Sequence, residues 1–194
     1  PDQWYTLERS QTNDTLTYWI RPPHLVSADT LMVATTYLRT DTASNLSWGT
    51  DTLKFTFQRQ KAKKKKKNEE TDSLEQIRFM ELHPLANGIQ EVYAPLLLQT
   101  GTPIERYSRE AFHLQRKLQN DTTFYPAEIK SIALRDSTLN RRDLVLKVDW
   151  EPGAAYKLAV DSLAMTDIYG LQTKPLKVDF NVRKMEEYGN IVFN

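Results

Sequence analysis

Residues 156–180 read YKLAVDSLAMTDIYGLQTKPLKVDF. Apolar residues alternate from Tyr156 to Val160 and again from Leu176 to Phe180, with the corner Thr166-Asp167-Ile168-Tyr169-Gly170 between them. A period of two puts alternate side chains on one face of a strand, so the stretch is expected to run strand, turn, strand. A looser copy, LMVATTYLRTDTASNLSWGTDTLKFTF, occupies residues 31–57. Thr40-Asp41 falls on Thr166-Asp167, and Leu53-Lys54-Phe55-Thr56-Phe57 falls on Leu176-Lys177-Val178-Asp179-Phe180. Further upstream, residues 16–20 fall near 144–148, each followed by a proline-containing turn. The same order of elements occurring twice points to an array of like modules.

Working outward, nearly every other apolar run is also short and bounded by turn residues. Residues 4–9 and 15–20 are β-prone and joined by the polar turn QTND. Pro22 and Pro23 then stop the strand. Residues 30–39 form a longer strand with Leu31, Val33, Thr35 and Tyr37 on one face. Residues 41–49 are turn-rich. Residues 51–58 form a strand expected to be half-buried, with Leu53, Phe55 and Phe57 together and Lys54 and Thr56 toward water. Residues 74–82 and 89–98 read as strands around the HPLANG turn. Residues 109–118 fit helix and strand about equally and are read as strand. Residues 124–132 give a connector with a short strand. Residues 143–150 alternate strictly, with Leu144, Leu146 and Val148 on one face, before the turn Glu151-Pro152-Gly153. Short strands punctuated by turns indicate an all-β sandwich.

Composition removes several classes. Lys and Arg total 26 against 25 Asp and Glu, a net charge of +1, so no global field draws nucleic acid or anionic lipid. Cysteine is absent, which excludes disulfides, thiolate metal sites and a cysteine nucleophile. No apolar run approaches the roughly 18–20 residues of a membrane span. The opening Pro1-Asp2-Gln3-Trp4 reads as the start of an excised piece of a longer polypeptide. The run QKAKKKKKNEETD at 60–72 carries too little apolar surface to order itself and reads as a linker over 61–73. It lacks the interleaved aromatics of a nucleic-acid reader.

Residues 93–104, YAPLLLQTGTPI, are similar to the opening strand and proline step of the bacterial Ig-like domain family, found in S-layer proteins and Bacteroidetes surface lipoproteins. Residues 149–170, DWEPGAAYKLAVDSLAMTDIYG, resemble its closing pattern, and PLKVDFNV at 175–182 resembles its last strand. The resemblance covers residues 74–184. It implies one complete Ig-like β-sandwich there, preceded by the closing half of another in 1–60 and followed by a tail or further module from 185. The first corner, Asp41-Thr42-Ala43-Ser44, departs from the pattern Asp167-Ile168-Tyr169-Gly170. The resemblance further implies a non-catalytic spacer or docking module of a cell-surface or periplasmic protein, lipid-anchored through a region outside this sequence. Its partners would be neighbouring modules and a protein or other cell-envelope component, with no nucleic acid.

No residue is nominated as catalytic, cofactor-binding or metal-ligating. His24, His83 and His113 are scattered and show no metal-ligand spacing. Asp161 and Asp167 flank the corner and are expected to fix the turn rather than hold calcium, which needs six or more oxygens. Trp4, Trp19, Trp48 and Trp150 are the candidates for a carbohydrate platform, the alternative reading of the chain. A third reading is an accessory domain of an enzyme whose catalytic part lies outside this sequence.

Overall fold

The computed structural model describes residues 4–10, 12–57, 79–84 and 88–189. The lysine-rich run lies outside them. In chain order the strands are β1 (Tyr5–Arg9), β2 (Leu16–Ile20), β3 (Thr30–Thr40), β4 (Leu46–Thr56), β5 (Leu82–Pro84), β6 (Ile89–Gln90), β7 (Leu96–Thr100), β8 (Ile104–Tyr107), β9 (Phe112–Lys117), β10 (Tyr125–Ala127), β11 (Ser131–Asp136), β12 (Asn140–Lys147), β13 (Ala155–Val160), β14 (Met165–Asp167) and β15 (Leu176–Val182). Among the described residues, a single helical turn, α1 (Pro23–Val26), and two 3-10 turns complete the set. The protein is all-β, as the sequence implies. It divides into two compact units, residues 1–5 with 20–74, and residues 6–19 with 75–194.

The second unit is β-sandwich-like. One sheet has the order β10-β9-β13-β15-β6 and another the order β11-β12-β7-β5. Alternation explains which faces meet. Phe112 and Leu114 of β9, Tyr156, Leu158 and Val160 of β13, and Phe180 and Val182 of β15 are buried, as are Leu96 and Leu98 of β7 and Leu144 and Leu146 of β12. All belong to one core cluster, so the two apolar faces share a single interior. Trp150 anchors one end of it. Its Nε1–H donates to the Ala94 carbonyl at 2.9 Å, and its ring meets Tyr156 edge-on at 4.9 Å. Tyr156 and Phe180 are directly paired across β13 and β15, and their rings stack with an interplanar angle of 9°.

The stretch 156–180 is richer than strand, turn, strand. β13 and β15 do pair antiparallel, with Val160 opposite Leu176 and Leu158 opposite Val178. Between them the chain leaves the sheet at Leu163, whose φ is 62°, and lays β14 antiparallel on β8. Residues 109–118, ambiguous in sequence, form a 3-10 turn at Arg109–Ala111 and then β9. The run 89–98 is interrupted between β6 and β7, where the Gln90 amide donates to the carbonyls of Glu91 and Ala94 and closes a turn. Met185–Glu187 is a 3-10 turn, and the β-prone run expected after Tyr188-Gly189, at 190–194, lies outside the described residues.

The first unit is built on the β3–β4 hairpin, paired in unbroken register from Thr30–Thr56 to Thr40–Leu46. Its turn is tighter than the sequence suggests, so residues 46–50 belong to β4. Gly49, read as a turn residue, sits mid-strand opposite Tyr37. The Arg39 side chain lies across it: a Cβ at Gly49 would stand 2.8 Å from Arg39 Cδ. The expected half-burial of this hairpin is not found. Leu53, Phe55 and Phe57 are exposed, along with Met32, Leu38, Leu46 and Trp48.

Candidate functional site

The two corners align in atomic detail. In the first, Asp41 Oδ1 accepts the N–H groups of Ala43 at 2.8 Å and Asn45 at 2.9 Å. The Asp41 N–H donates to Asn45 O at 2.9 Å and the Ser44 N–H to Asp41 O at 3.1 Å. In the second, Asp167 Oδ1 accepts the N–H groups of Tyr169 at 2.9 Å and Leu171 at 2.7 Å. The Asp167 N–H donates to Leu171 O at 2.9 Å and the Gly170 N–H to Asp167 O at 3.1 Å. The third residue after each aspartate is left-handed, Ser44 at φ 62° and Gly170 at φ 83°. Ser44 adopts the conformation that glycine adopts in the other copy, so the sequence departure leaves the turn unchanged.

Asp167 is buried, and its second oxygen accepts the Thr102 hydroxyl at 2.5 Å. Asp161 stands apart from it, 2.9 Å from His113 Nε2 at the surface. The two carboxylates are therefore engaged separately, each with its own partner. His83 lies 3.5 Å from Glu81 and His24 is exposed on α1.

Polar networks that the sequence does not signal hold the second unit. Asp143 is buried and receives Gln99 Nε2 at 3.0 Å, Asn140 Nδ2 at 3.0 Å and Arg135 Nη1 at 3.1 Å. Glu8 forms a two-oxygen pair with Arg142, at 2.6 and 2.8 Å, and also accepts Trp19 Nε1–H at 2.8 Å. The Glu8–Arg142 hydrogen bond raises the Arg142 guanidinium pKa above its ordinary value. Glu91 accepts the Tyr188 hydroxyl at 2.6 Å and Arg183 Nε at 3.0 Å, which holds its carboxyl below the ordinary glutamate range. Burial, and then Glu91, push the Tyr188 phenol up. Among the described residues, no buried side-chain nitrogen or oxygen lacks a partner.

Among the described residues, two grooves of the second unit bear on chemistry. One, of about 420 Å³, is lined by residues 79–83 and 174–176; Lys174 stands over the Phe79 ring at 4.7 Å, and its lining holds one carboxylate, Glu81. The other, of about 250 Å³, is lined by Val92, Tyr93, Ala94, Pro95, Lys147 and Val148. Neither lining brings two carboxylates together for acid–base chemistry.

The β3–β4 hairpin exposes several large apolar residues, and others are spread over the second unit. On one face lie Leu31 opposite Phe55 and Val33 opposite Leu53, with Phe57 just beyond. The other face carries Leu38 opposite Trp48 and Thr40 opposite Leu46 near the turn. Trp48 is 71% exposed. Trp150, in contrast, is a core residue, and Trp19 is half-buried against Glu8 and beneath Arg142 at 5.6 Å. No family model matches this chain, and no curated protein does. Fold and surface together define an all-β protein with a β-sandwich-like unit and an exposed apolar hairpin.

Proposed function

We propose that this chain is a non-catalytic Ig-like structural and docking segment of a bacterial cell-surface or periplasmic protein. The observation that carries the reading is the division of labour among its side chains. Acidic and basic groups are engaged in pairs such as Arg183–Glu91 and in turns such as Asp167, neither groove lining brings two carboxylates together, and the β3–β4 hairpin exposes Trp48, Leu53 and Phe55. A surface that offers adhesion and no assembled acid–base pair suits a spacer or docking module. The family resemblance of residues 74–184 supports the extracytoplasmic setting.

A carbohydrate platform is the second reading, favoured by the exposure of Trp48 beside Leu38. The parallel ring pair Tyr156–Phe180, which such a platform would need at the surface, lies in the core instead. A glycan array probed with the wild type and with Trp48→Ala separates the two. The spacer reading expects no saturable glycan binding by either protein. Saturable binding abolished by Trp48→Ala overturns it. Protease accessibility on intact source cells tests the setting: digestion without lysis, or after outer-membrane permeabilisation alone, is expected, and protection until the cytoplasm is opened contradicts it.

A further inference from the structure

Among the described residues two lysines are half-buried, Lys117 of β9 and Lys157 of β13, while the others are exposed. Alternation puts both on the outward face of the five-stranded sheet. Phe112 and Leu114 of β9 and Tyr156 and Leu158 of β13 are buried in the core, so Lys117 and Lys157 point away from it. Lys117 pairs with Ala155 and Lys157 with Gln115, which makes the two lysines diagonal neighbours on that face. Phe124 immediately precedes β10, the strand on the other edge of β9. The Lys157 ammonium stands 4.3 Å from the centroid of its ring, and the Lys117 ammonium 5.3 Å.

Neither ammonium has a carboxylate. Asp179 lies directly opposite Lys157 across β13 and β15, a position that favours a cross-strand ion pair. Asp121 lies in the loop between Lys117 and Phe124. Among the described residues, neither acid forms an ion pair with either lysine. Stems packed along the strands hold the two heads in place. The Phe124 ring attracts them through its quadrupole but carries no net charge. The sheet thus brings two like charges to one ring and leaves both uncompensated, which is unfavourable until an anion sits between them.

We propose that Lys117, Lys157 and Phe124 form a binding site for a tetrahedral oxyanion, the phosphate or sulfate group of an ester. Lysine ammoniums are compact point charges with rotatable donors, and they suit a group whose oxygens face several ways. A planar carboxylate is better met by the fork of an arginine. Arg116, the arginine between the two elements, lies on the other side of β9, opposite Tyr156, and stands 3.9 Å from Glu151. The Phe124 ring gives an apolar surface to the carbon that carries the ester. This inference goes beyond the spacer reading and stands whether or not the exposed hairpin docks a partner.

NMR titration of the whole 194-residue chain tests it, with inorganic phosphate, inorganic sulfate, glycerol phosphate and acetate as probes at constant ionic strength. Saturable shifts of the Phe124 ring and of the Lys117 and Lys157 ε-methylene signals are expected with the three tetrahedral probes, and about tenfold weaker binding with acetate. Lys117→Met and Lys157→Met keep the stem and remove the charge, and each is expected to weaken phosphate binding about tenfold. Lys177→Met, on the same outward face of β15, is expected to leave it unchanged, and the spectra of all three variants report their folding. Shifts that grow without saturating overturn the site. Acetate binding as tightly as phosphate, or Lys177→Met weakening it as much as Lys157→Met, also overturns it. Saturation by the inorganic ions but not by glycerol phosphate overturns the assignment to an ester.

Discussion

Asp41 and Asp167 make the same turn. Each carboxylate accepts the backbone N–H groups two and four residues ahead, and each turn closes through a left-handed third residue. The two turns differ in burial: Asp167 is 1% exposed, while Asp41 is open to water. Local chemistry is therefore conserved between the units while its energetic setting differs.

That difference sets the first expectation. Asp167→Ala empties a buried site and removes the acceptor of two part-buried N–H groups and of the Thr102 hydroxyl, and is expected to cost about 2–3 kcal/mol. Asp41→Ala frees N–H groups that water can reach, and is expected to cost about 1 kcal/mol or less. Asp167→Asn, which keeps one oxygen for the two N–H groups, is expected to fall between them. Urea denaturation of the three variants reads the order directly, and equal losses at the two aspartates would contradict the burial argument.

Gly170 and Ser44 give a second, purely conformational test. No atom lies within 4 Å of a Cβ added at Gly170, so Gly170→Ala meets no steric clash and pays only for its φ of 83°. A loss of about 1 kcal/mol is expected. Ser44→Gly relieves the same conformational cost in the native turn but adds unfolded-state freedom, and is expected to change stability by less than about 0.5 kcal/mol. Thermal melts of both variants check this.

The Glu91 contact predicts a pH dependence with a defined sign. The Tyr188 hydroxyl and then Arg183 depress the Glu91 pKa, so the contact stabilises the fold above the ordinary glutamate pKa. That contribution is lost as pH falls through the lower, folded value. Tyr188 has a raised pKa, so its share is present below the ordinary tyrosine value and is lost as pH rises through the folded one. NMR titration of the Glu91 side chain is expected to give a midpoint below the unperturbed value of about 4.3. Tyr188→Phe is expected to move that midpoint upward, and an unmoved midpoint would count against the hydroxyl as the main cause.

How much of this was legible in the sequence depended on what each buried position carries. β9, β12 and β13 bury Phe112 and Leu114, Leu144 and Leu146, and Tyr156, Leu158 and Val160, all apolar, so alternation alone marks their inward faces. β14 escaped because its inward residue beyond Met165 is Asp167, a carboxylate whose burial is offset by two local hydrogen bonds and a third from the distant Thr102. Gly49 read as a turn because glycine punctuates turns, and no local pattern records its pairing with Tyr37 or the Arg39 side chain lying over it. The Glu91–Arg183–Tyr188 cluster joins residues more than 90 positions apart and has no sequence period to betray it. Alternation in the β3–β4 hairpin was legible, but it encodes a face suited to burial and not what buries it.

Phe57 and Phe180 occupy the same place in the repeat and test the central claim most directly. Phe180→Ala empties a packed core site and is expected to cost about 3–5 kcal/mol in residues 1–194. In that same chain Phe57→Ala is expected to cost less than about 0.5 kcal/mol, because the ring is already in water. The measurement is the loss of unfolding free energy for Phe57→Ala set beside that for Phe180→Ala in the same chain. A loss below about 0.5 kcal/mol for Phe57→Ala against about 3–5 kcal/mol for Phe180→Ala is the predicted result, and equal losses would contradict it.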